Sequence, residues 1–374
     1  MSSLPKKLLI ISYDFPPSTG GIARLCHEIA THIQSNYESV EVLTLEKNKV
    51  SVPYNDNPEI KINYLPSKRI LSEVKALQFL KKWKHKPETD VICGTWHPDA
   101  ALSIFSGFKN VFALAHGTEL LYGQSKFRKY LWLPFYAKWI SGKSKKVIAN
   151  SQYTKNLVLN INPKAEVIAL PLGVNPEFFC PKPKSDLVNH KLKICTVSRI
   201  LQFKGHDFIL KALSELPESY RDQVEWHIAG SGPFLEELIE LVNESSIKNQ
   251  IQFHGFVKDE DLPAFYSNSD LFILATRETK ESTQVEGFGL VFLEAQACGT
   301  PVIGTNTGGI PDAIEYKNGG WLIEQDNQYE LSQLIKQLID NSGILKVQSR
   351  LARERILQKC SWQVYVDNLK QIIQ

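Results

Sequence analysis

Four side chains in the second half of this chain are spaced to grip a molecule that carries both phosphates and hydroxyls. In VEGFGLVFLEAQACGTPVIG (285–304), Gly287 and Gly289 form a flexible turn, and the GLVFLEAQAC that includes its end is apolar almost all round, as a buried helix is. Glu294 lies inside that helix. A buried carboxylate without a donor is strongly unfavourable, so it must have a group to hold. Glu286 stands at the mouth of the same turn. A hydroxyl-rich ligand would satisfy both acids; the alternative is a core arginine for Glu294 and a solvated Glu286. In VSRILQFKGHD (197–207), Arg199 follows directly on an apolar strand, and Lys204 precedes the helix that Gly205 introduces. Two cations at a strand's carboxyl end, beside a helix N-terminus, suit two phosphates. A surface arginine and a solvated lysine are the plainer reading.

The first half offers weaker signals. In YDFPPSTGGIARL (13–25), Gly20 and Gly21 let the backbone turn sharply and approach a ligand, and Gly21 begins a helix whose free N–H groups suit the same diphosphate. Asp14 either hydrogen-bonds an acceptor hydroxyl or caps the local turn. LAHGTEL (114–120) places His116 at the end of another apolar strand, where it is either structural or catalytic. Asp259-Glu260-Asp261 has the form of a metal-binding triplet. It precedes LPAFYSNSD, however, and acids favour the start of a helix, so the expectation is a structural role and no metal. GSGP (230–233) lacks the further glycine of a dinucleotide fingerprint and reads as a strand-to-helix turn.

The elements that must position these residues alternate along nearly the whole chain. LLIISY (8–13), SVEVLTL (39–45), DVICGTW (90–96), NVFALAHG (110–117), KVIANS (146–151) and AEVIALPLG (165–173) are strand runs in the first half. LKICTVSR (192–199), VEWHIAG (224–230), IQFHGFV (251–257), LFILAT (271–276), PVIGT (301–305) and WLIE (321–324) continue them. Most are apolar on both faces, which suits parallel sheets buried between helices. The fold class is therefore α/β, with two doubly wound domains and ligands near the carboxyl ends of the strands, facing across a cleft. The proline-bearing NPEFFCPKPKSDLVNHK (175–191) reads as a linker, giving domains at 1–182 and 183–360.

Composition narrows the function classes. The chain has 374 residues, 43% hydrophobic and 22% charged, which is ordinary for a globular protein of two cores. No apolar run approaches a membrane span, the N-terminus reads as a first strand rather than a signal peptide, and six scattered cysteines read as free thiols in a reducing cytosol. Residues 1–187 hold 25 basic and 15 acidic side chains, and the remainder 18 and 25. A basic first half points to an anionic partner; without any nucleic-acid-binding signature, a membrane surface is the better candidate. KFRKYLWLPFYAKWISGKSKK (126–146) and LKKWKHK (80–86) either lie on anionic headgroups or supply the core of the first domain.

Taken together, these motifs resemble glycosyltransferase family 4. Glu286 and Glu294 match its paired glutamates, SRILQFKG its diphosphate-binding cations and the turn after DFPP its first phosphate loop. AHGTE, SQYT (151–154), LPLGV (170–174), GSGP and GGIPD (308–312) follow in the family's order over essentially the full chain. DFPPSTGGI and VEGFGLVFLEAQACGTPVI look most like the phosphatidylinositol mannosyltransferase branch, which uses GDP-mannose. The resemblance implies a GT-B fold whose first domain is completed by a final helix (361–374), and a retaining, metal-free hexosyl transfer from a nucleotide diphosphate sugar to a glycan or lipid-linked acceptor. Arg199 and Lys204 would neutralise the leaving phosphate. Glu294 would hold the ribose, and Glu286 with the backbone of Phe288, Gly289 and Leu290 the sugar. Phe256 and Val257 would cover the base, and His116 would steady the transferred sugar. A nucleotide-sugar 2-epimerase, a UDP-sugar transferase to a small soluble acceptor, and a non-catalytic sugar-nucleotide sensor are the competing readings. The implied location is cytoplasmic, peripheral to the inner membrane face if the basic helices meet lipid.

Overall fold

The computed structural model describes residues 7–18, 20–49, 60–184, 191–279 and 284–373. Its strands form two wholly parallel sheets. The first contains β1 (Lys7–Ile11), β2 (Ser39–Leu45), β3 (Ile60–Leu65), β4 (Thr89–Cys93), β5 (Val111–Ala115), β6 (Lys146–Ala149) and β7 (Val167–Ala169), in the order β3-β2-β1-β4-β5-β6-β7. The second contains β8 (Leu192–Val197), β9 (Val224–Ala229), β10 (Ile251–Gly255), β11 (Leu271–Leu274), β12 (Val302–Thr305) and β13 (Gly320–Ile323), in the order β10-β9-β8-β11-β12-β13. The doubly wound α/β class expected from alternating apolar runs is the one that forms. In each sheet the order reverses beside the first strand, between β1 and β4 and between β8 and β11. At such a switch point the flanking loops part and leave room for a ligand.

The central strands are apolar because both faces are covered. Leu8, Leu9, Ile10 and Ile11 are fully buried in β1, and Ile194, Trp226, Ile228 and Ile273 line the second core. One strand escaped sequence reading. β3, IKINYL, lies at the sheet edge with its middle residues partly or fully exposed, so it lacks a continuous apolar run.

The chain divides into two compact units, one comprising residues 1–172 with 362–374 and the other 173–361. This departs from the boundary drawn at 182. Val174 bridges Ser361, Phe179 is buried, and Arg353 Nη1 and Nη2 donate to the carbonyls of Phe179 (2.9 Å) and Pro176 (2.9 Å). Prolines mark this stretch as a linker, yet Arg353 fastens its first part to the second unit; residues 185–190 lie outside the described residues. The helix Trp362–Ile373 belongs to the first unit, packed against the helix Gly21–His32, and Lys146 Nζ donates to Ile372 O at 2.6 Å.

The segment 126–146 supplies part of the first core and leaves other aromatics exposed. It coils through the helical turns Arg128–Ala137 and Lys138–Lys143. Leu133, Ala137 and Ile140 are buried in the first core, while Phe127, Tyr130, Leu131 and Phe135 are exposed by 59, 62, 55 and 67%. All six cysteines are free.

Candidate functional site

The loop after β8 is shaped by glycines that belong to other loops. Ser198 N–H donates to Ala229 O (3.1 Å) and Ile200 N–H to Ser231 O (2.9 Å), which lays residues 198–200 against Gly230–Gly232. A Cβ on Gly230 or Gly232 would collide with the carbonyl of Ser198 or Ile200, so GSGP serves here as a packing turn. Ile200 is fully buried, and the neighbouring Arg199 is exposed. Its guanidinium has no partner among the described residues.

The chain then makes a tight turn, Gln202–Lys204, ended by Gly205 at φ 75°, where a side chain would meet Ala275 O. This left-handed glycine starts the helix His206–Ser214 and aims Lys204 at Glu286. Lys204 Nζ lies 2.5 Å from Glu286 Oε2, with the side chains only 12 and 17% exposed, and 5.0 Å from the Phe203 ring centroid. The sequence assigns Lys204 to a phosphate and Glu286 to a sugar; in the structure they pair with each other. Directly below, His206 is fully buried with Nε2 3.4 Å from Ser198 Oγ. Burial, and next the Lys204 charge, push its imidazole down to about 4, so it adds no third cation at neutral pH.

Glu286 is fixed through its backbone. Gly309 N–H donates to Glu286 O (2.8 Å), and Gly308, at φ 54°, leaves no room for a Cβ beside that carbonyl. GGIPD thus buttresses the acidic loop. Phe288 is buried, Gly289 takes φ 91° against the Phe292 ring, and Leu290 opens the helix Leu290–Ala297. Glu294, 5% exposed within that helix, accepts a hydrogen bond from Tyr266 Oη to Oε2 at 3.1 Å. Tyr266 is therefore one core partner of Glu294; Arg355 donates to Gln296 Oε1 and Ala313 O, both at 3.1 Å. Burial and the Glu294 charge hold the Tyr266 phenol well above its usual range, which keeps it a donor. Tyr266 lies in LPAFYS, where nothing local distinguishes it from an ordinary core aromatic. Phe256, 76% exposed, and the half-buried Val257 follow β10.

In the first unit His116 directly follows β5. Its Nε2 donates to Gly94 O (2.7 Å), its N–H to Glu119 Oε1 (2.6 Å), and Asn150 Nδ2 donates to its carbonyl (3.2 Å). A carbonyl only accepts, so Nε2 carries a proton toward Gly94 O. Asp14 is exposed, with Lys47 Nζ 3.5 Å away, and its carbonyl accepts from Ser12 Oγ (2.6 Å). Gly20 takes φ 133°, ψ 165°, a conformation only glycine adopts readily, and the space beside it is open; Gly21 is the first residue of its helix. Asp261 precedes the helix Leu262–Ser267 without a side-chain capping bond. Among the described residues no three His, Cys, Asp or Glu side chains converge as a metal-ligand set.

The family model described as Glycosyl transferases group 1 matches residues 181–355, and the one described as Glycosyltransferase Family 4 matches residues 19–178. The chain belongs to glycosyltransferase family 4. It is a glycosyltransferase that uses a nucleotide sugar. Similar curated proteins include the GDP-mannose-dependent alpha-(1-6)-phosphatidylinositol monomannoside mannosyltransferase of Mycobacterium tuberculosis, 25% identical over 95% of either chain. A monoacylated-substrate counterpart from Corynebacterium glutamicum is 25% identical over 100% of this chain and 99% of that one. Among solved structures, Anabaena HepE in complex with UDP and glucose superposes with a TM-score of 0.75 at 18% identity, covering 98% of this chain and 99% of that one. Sucrose-phosphate synthase from Thermosynechococcus elongatus gives 0.76 at 19% identity, covering 98% of each. The family-4 chain thus has the GT-B fold. No helix among its described residues is long and apolar enough to cross a membrane.

Proposed function

We propose that this family-4 glycosyltransferase transfers mannose from GDP-mannose, with retention of anomeric configuration, to a glycan or lipid-linked acceptor. The sugar and nucleotide rest on the mannosyltransferase relatives, which match nearly end to end. The single observation that carries the chemistry is the loop after β8, where Arg199, without a side-chain partner among the described residues, precedes a Lys204 already held beside Glu286.

Cleaving a glycosyl–diphosphate bond builds negative charge on the departing phosphate and positive charge at the anomeric carbon. Fixed cations stabilise the first without reorganising, so Arg199 and Lys204 supply charge that a divalent ion supplies elsewhere, and the reaction proceeds without metal or other cofactor. Lys204 exchanges its contact with Glu286 for the phosphate, which frees the Glu286 carboxylate to accept from sugar hydroxyls alongside the backbone of Phe288, Gly289 and Leu290. Glu294 accepts from the ribose hydroxyls, and Phe256 and Val257 cover the base. His116 Nδ1 accepts from a hydroxyl of the transferred sugar, Gly20 and Gly21 present N–H groups to phosphate, and Asp14 accepts from the acceptor. In the retaining step the bond from the anomeric carbon to the phosphate oxygen breaks. The acceptor oxygen bonds to the same face of that carbon, and its proton passes to the departing phosphate. The acceptor is drawn from an anionic membrane surface by the exposed aromatics of residues 127–135 and their flanking lysines, a reading supported by their exposure and charge.

Thermal-shift measurements with GDP-mannose, UDP-glucose, UDP-N-acetylglucosamine and ADP-glucose, all in EDTA, test the donor. The largest shift is expected from GDP-mannose; a larger one from a UDP-sugar, or loss of transfer activity in EDTA, overturns the corresponding part. Proton coupling at the product's anomeric carbon reads the stereochemistry, and conversion of donor to its epimer without acceptor would replace transfer by epimerisation.

A further inference from the structure

Arg277 is a cation at the same end of the second sheet that no part of the donor reading uses. It follows β11, one of the two strands at the switch point, and its side chain is 22% exposed. Its Nη1 sits 2.8 Å from both carboxylate oxygens of Asp207, in the first turn of the helix His206–Ser214. Its Nε donates to Asp326 Oδ1 at 2.6 Å, in the loop after β13. Its backbone N–H donates to Phe203 O at 2.7 Å, in the turn that carries Lys204. One residue thus ties the loops after β8, β11 and β13 together. The Asp326 backbone lies in the left-handed region at φ 57°, a conformation that needs surrounding contacts to hold it.

The charges explain why Arg277 is not a third phosphate ligand. Two carboxylates neutralise it, whereas the Arg199 guanidinium has none among the described residues. Lysine could not reproduce the arrangement, since a single ammonium cannot reach two carboxylates in the fork geometry of a guanidinium. From these contacts we infer that Arg277 is a positioning residue for Lys204: it holds the Phe203–Lys204 turn at the height where the ammonium meets phosphate. The inference rests on the reading of Lys204 as a phosphate-binding group.

A double-mutant cycle separates this role from general structural support, because coupled residues lose additivity. Affinity for GDP is measured by titration calorimetry on the full chain for wild type, R277A, K204A and the double variant. R277A is expected to weaken GDP roughly 10-fold in the wild-type background but less than about 2-fold when Lys204 is already absent. R277K should recover little of the loss, on the fork argument. Equal losses in both backgrounds would make Arg277 merely structural and overturn the inference. A K204A variant that binds GDP like wild type would instead remove the Lys204 reading itself, as would a wild type that binds no nucleoside diphosphate. If R277A fails to fold, D326N loosens only the contact to the loop after β13. It should weaken GDP roughly 3-fold, again only where Lys204 is present, and no effect in either background overturns the inference.

Discussion

Lys204 has one charge and two claimants for it, the Glu286 carboxylate and, in the proposed reaction, the departing phosphate. Replacing it with alanine removes an oriented cation at a developing anion, which lowers kcat about 100-fold, or roughly 3 kcal/mol. Stopped assays at saturating donor read this directly, and a change confined to KM would show that the ammonium acts only in binding. The same change leaves the half-buried Glu286 without its cation, so Glu286→Gln in the Lys204→Ala background should restore thermal stability without restoring turnover. Beneath the pair, His206 supplies a pH dependence. Its folded value of about 4 lies below the ordinary 6.5, so the unfolded chain binds the extra proton first. Stability is therefore full above that ordinary value and falls as pH drops toward the folded one, by about 3 kcal/mol in all. Urea midpoints measured across this window should fall with acid in the wild type and fall less steeply in His206→Asn. His227, which burial also holds low, remains in both proteins and does not confuse the difference.

Elements were more legible than contacts. Runs such as LKICTV and LFIL announce themselves because a parallel strand covered on both faces has no polar side to show. Gly205 and Gly289 were readable as turn residues next to chemistry, and both adopt left-handed backbone there. What the sequence hid were partners brought in from distant segments: Tyr266 for Glu294, the Gly94 carbonyl for His116, and Asp207 and Asp326 for Arg277. Each is an ordinary core or surface residue in its local context, and only tertiary packing gives it a role. The segment 126–146 shows the same limit. Its mixed composition left core and surface readings open, and helical geometry resolves them by face, with Leu133 and Ala137 inward and Leu131 and Phe135 outward. If the outward face meets lipid, Leu131→Asp with Phe135→Asp should abolish co-sedimentation with phosphatidylglycerol vesicles while leaving GDP-mannose thermal shifts unchanged. Retained sedimentation would remove the membrane role.

At the scale of the whole molecule, the first unit is discontinuous in sequence and the second is not. The helix Trp362–Ile373 buries Trp362, Tyr365, Val366, Leu369 and Ile373. Side chains of this kind contribute roughly 1.5–3 kcal/mol each when fully buried, so their combined loss is comparable to the whole margin by which a domain is stable. Ending the chain after Ser361 should therefore abolish the calorimetric transition of the first unit and preserve that of the second. Retention of both transitions would show that the helix is dispensable.

That discontinuity also sets an order of events during synthesis. The second unit runs unbroken from residue 173 to residue 361 and has all its parts once that stretch has left the ribosome. The first unit, although translated earlier, must wait for the helix Trp362–Ile373 to emerge, with the apolar side of its Gly21–His32 helix uncovered in the meantime. The nascent chain thus acquires a finished second unit before a finished first one, and the interval between them is when holding chaperones have most to protect.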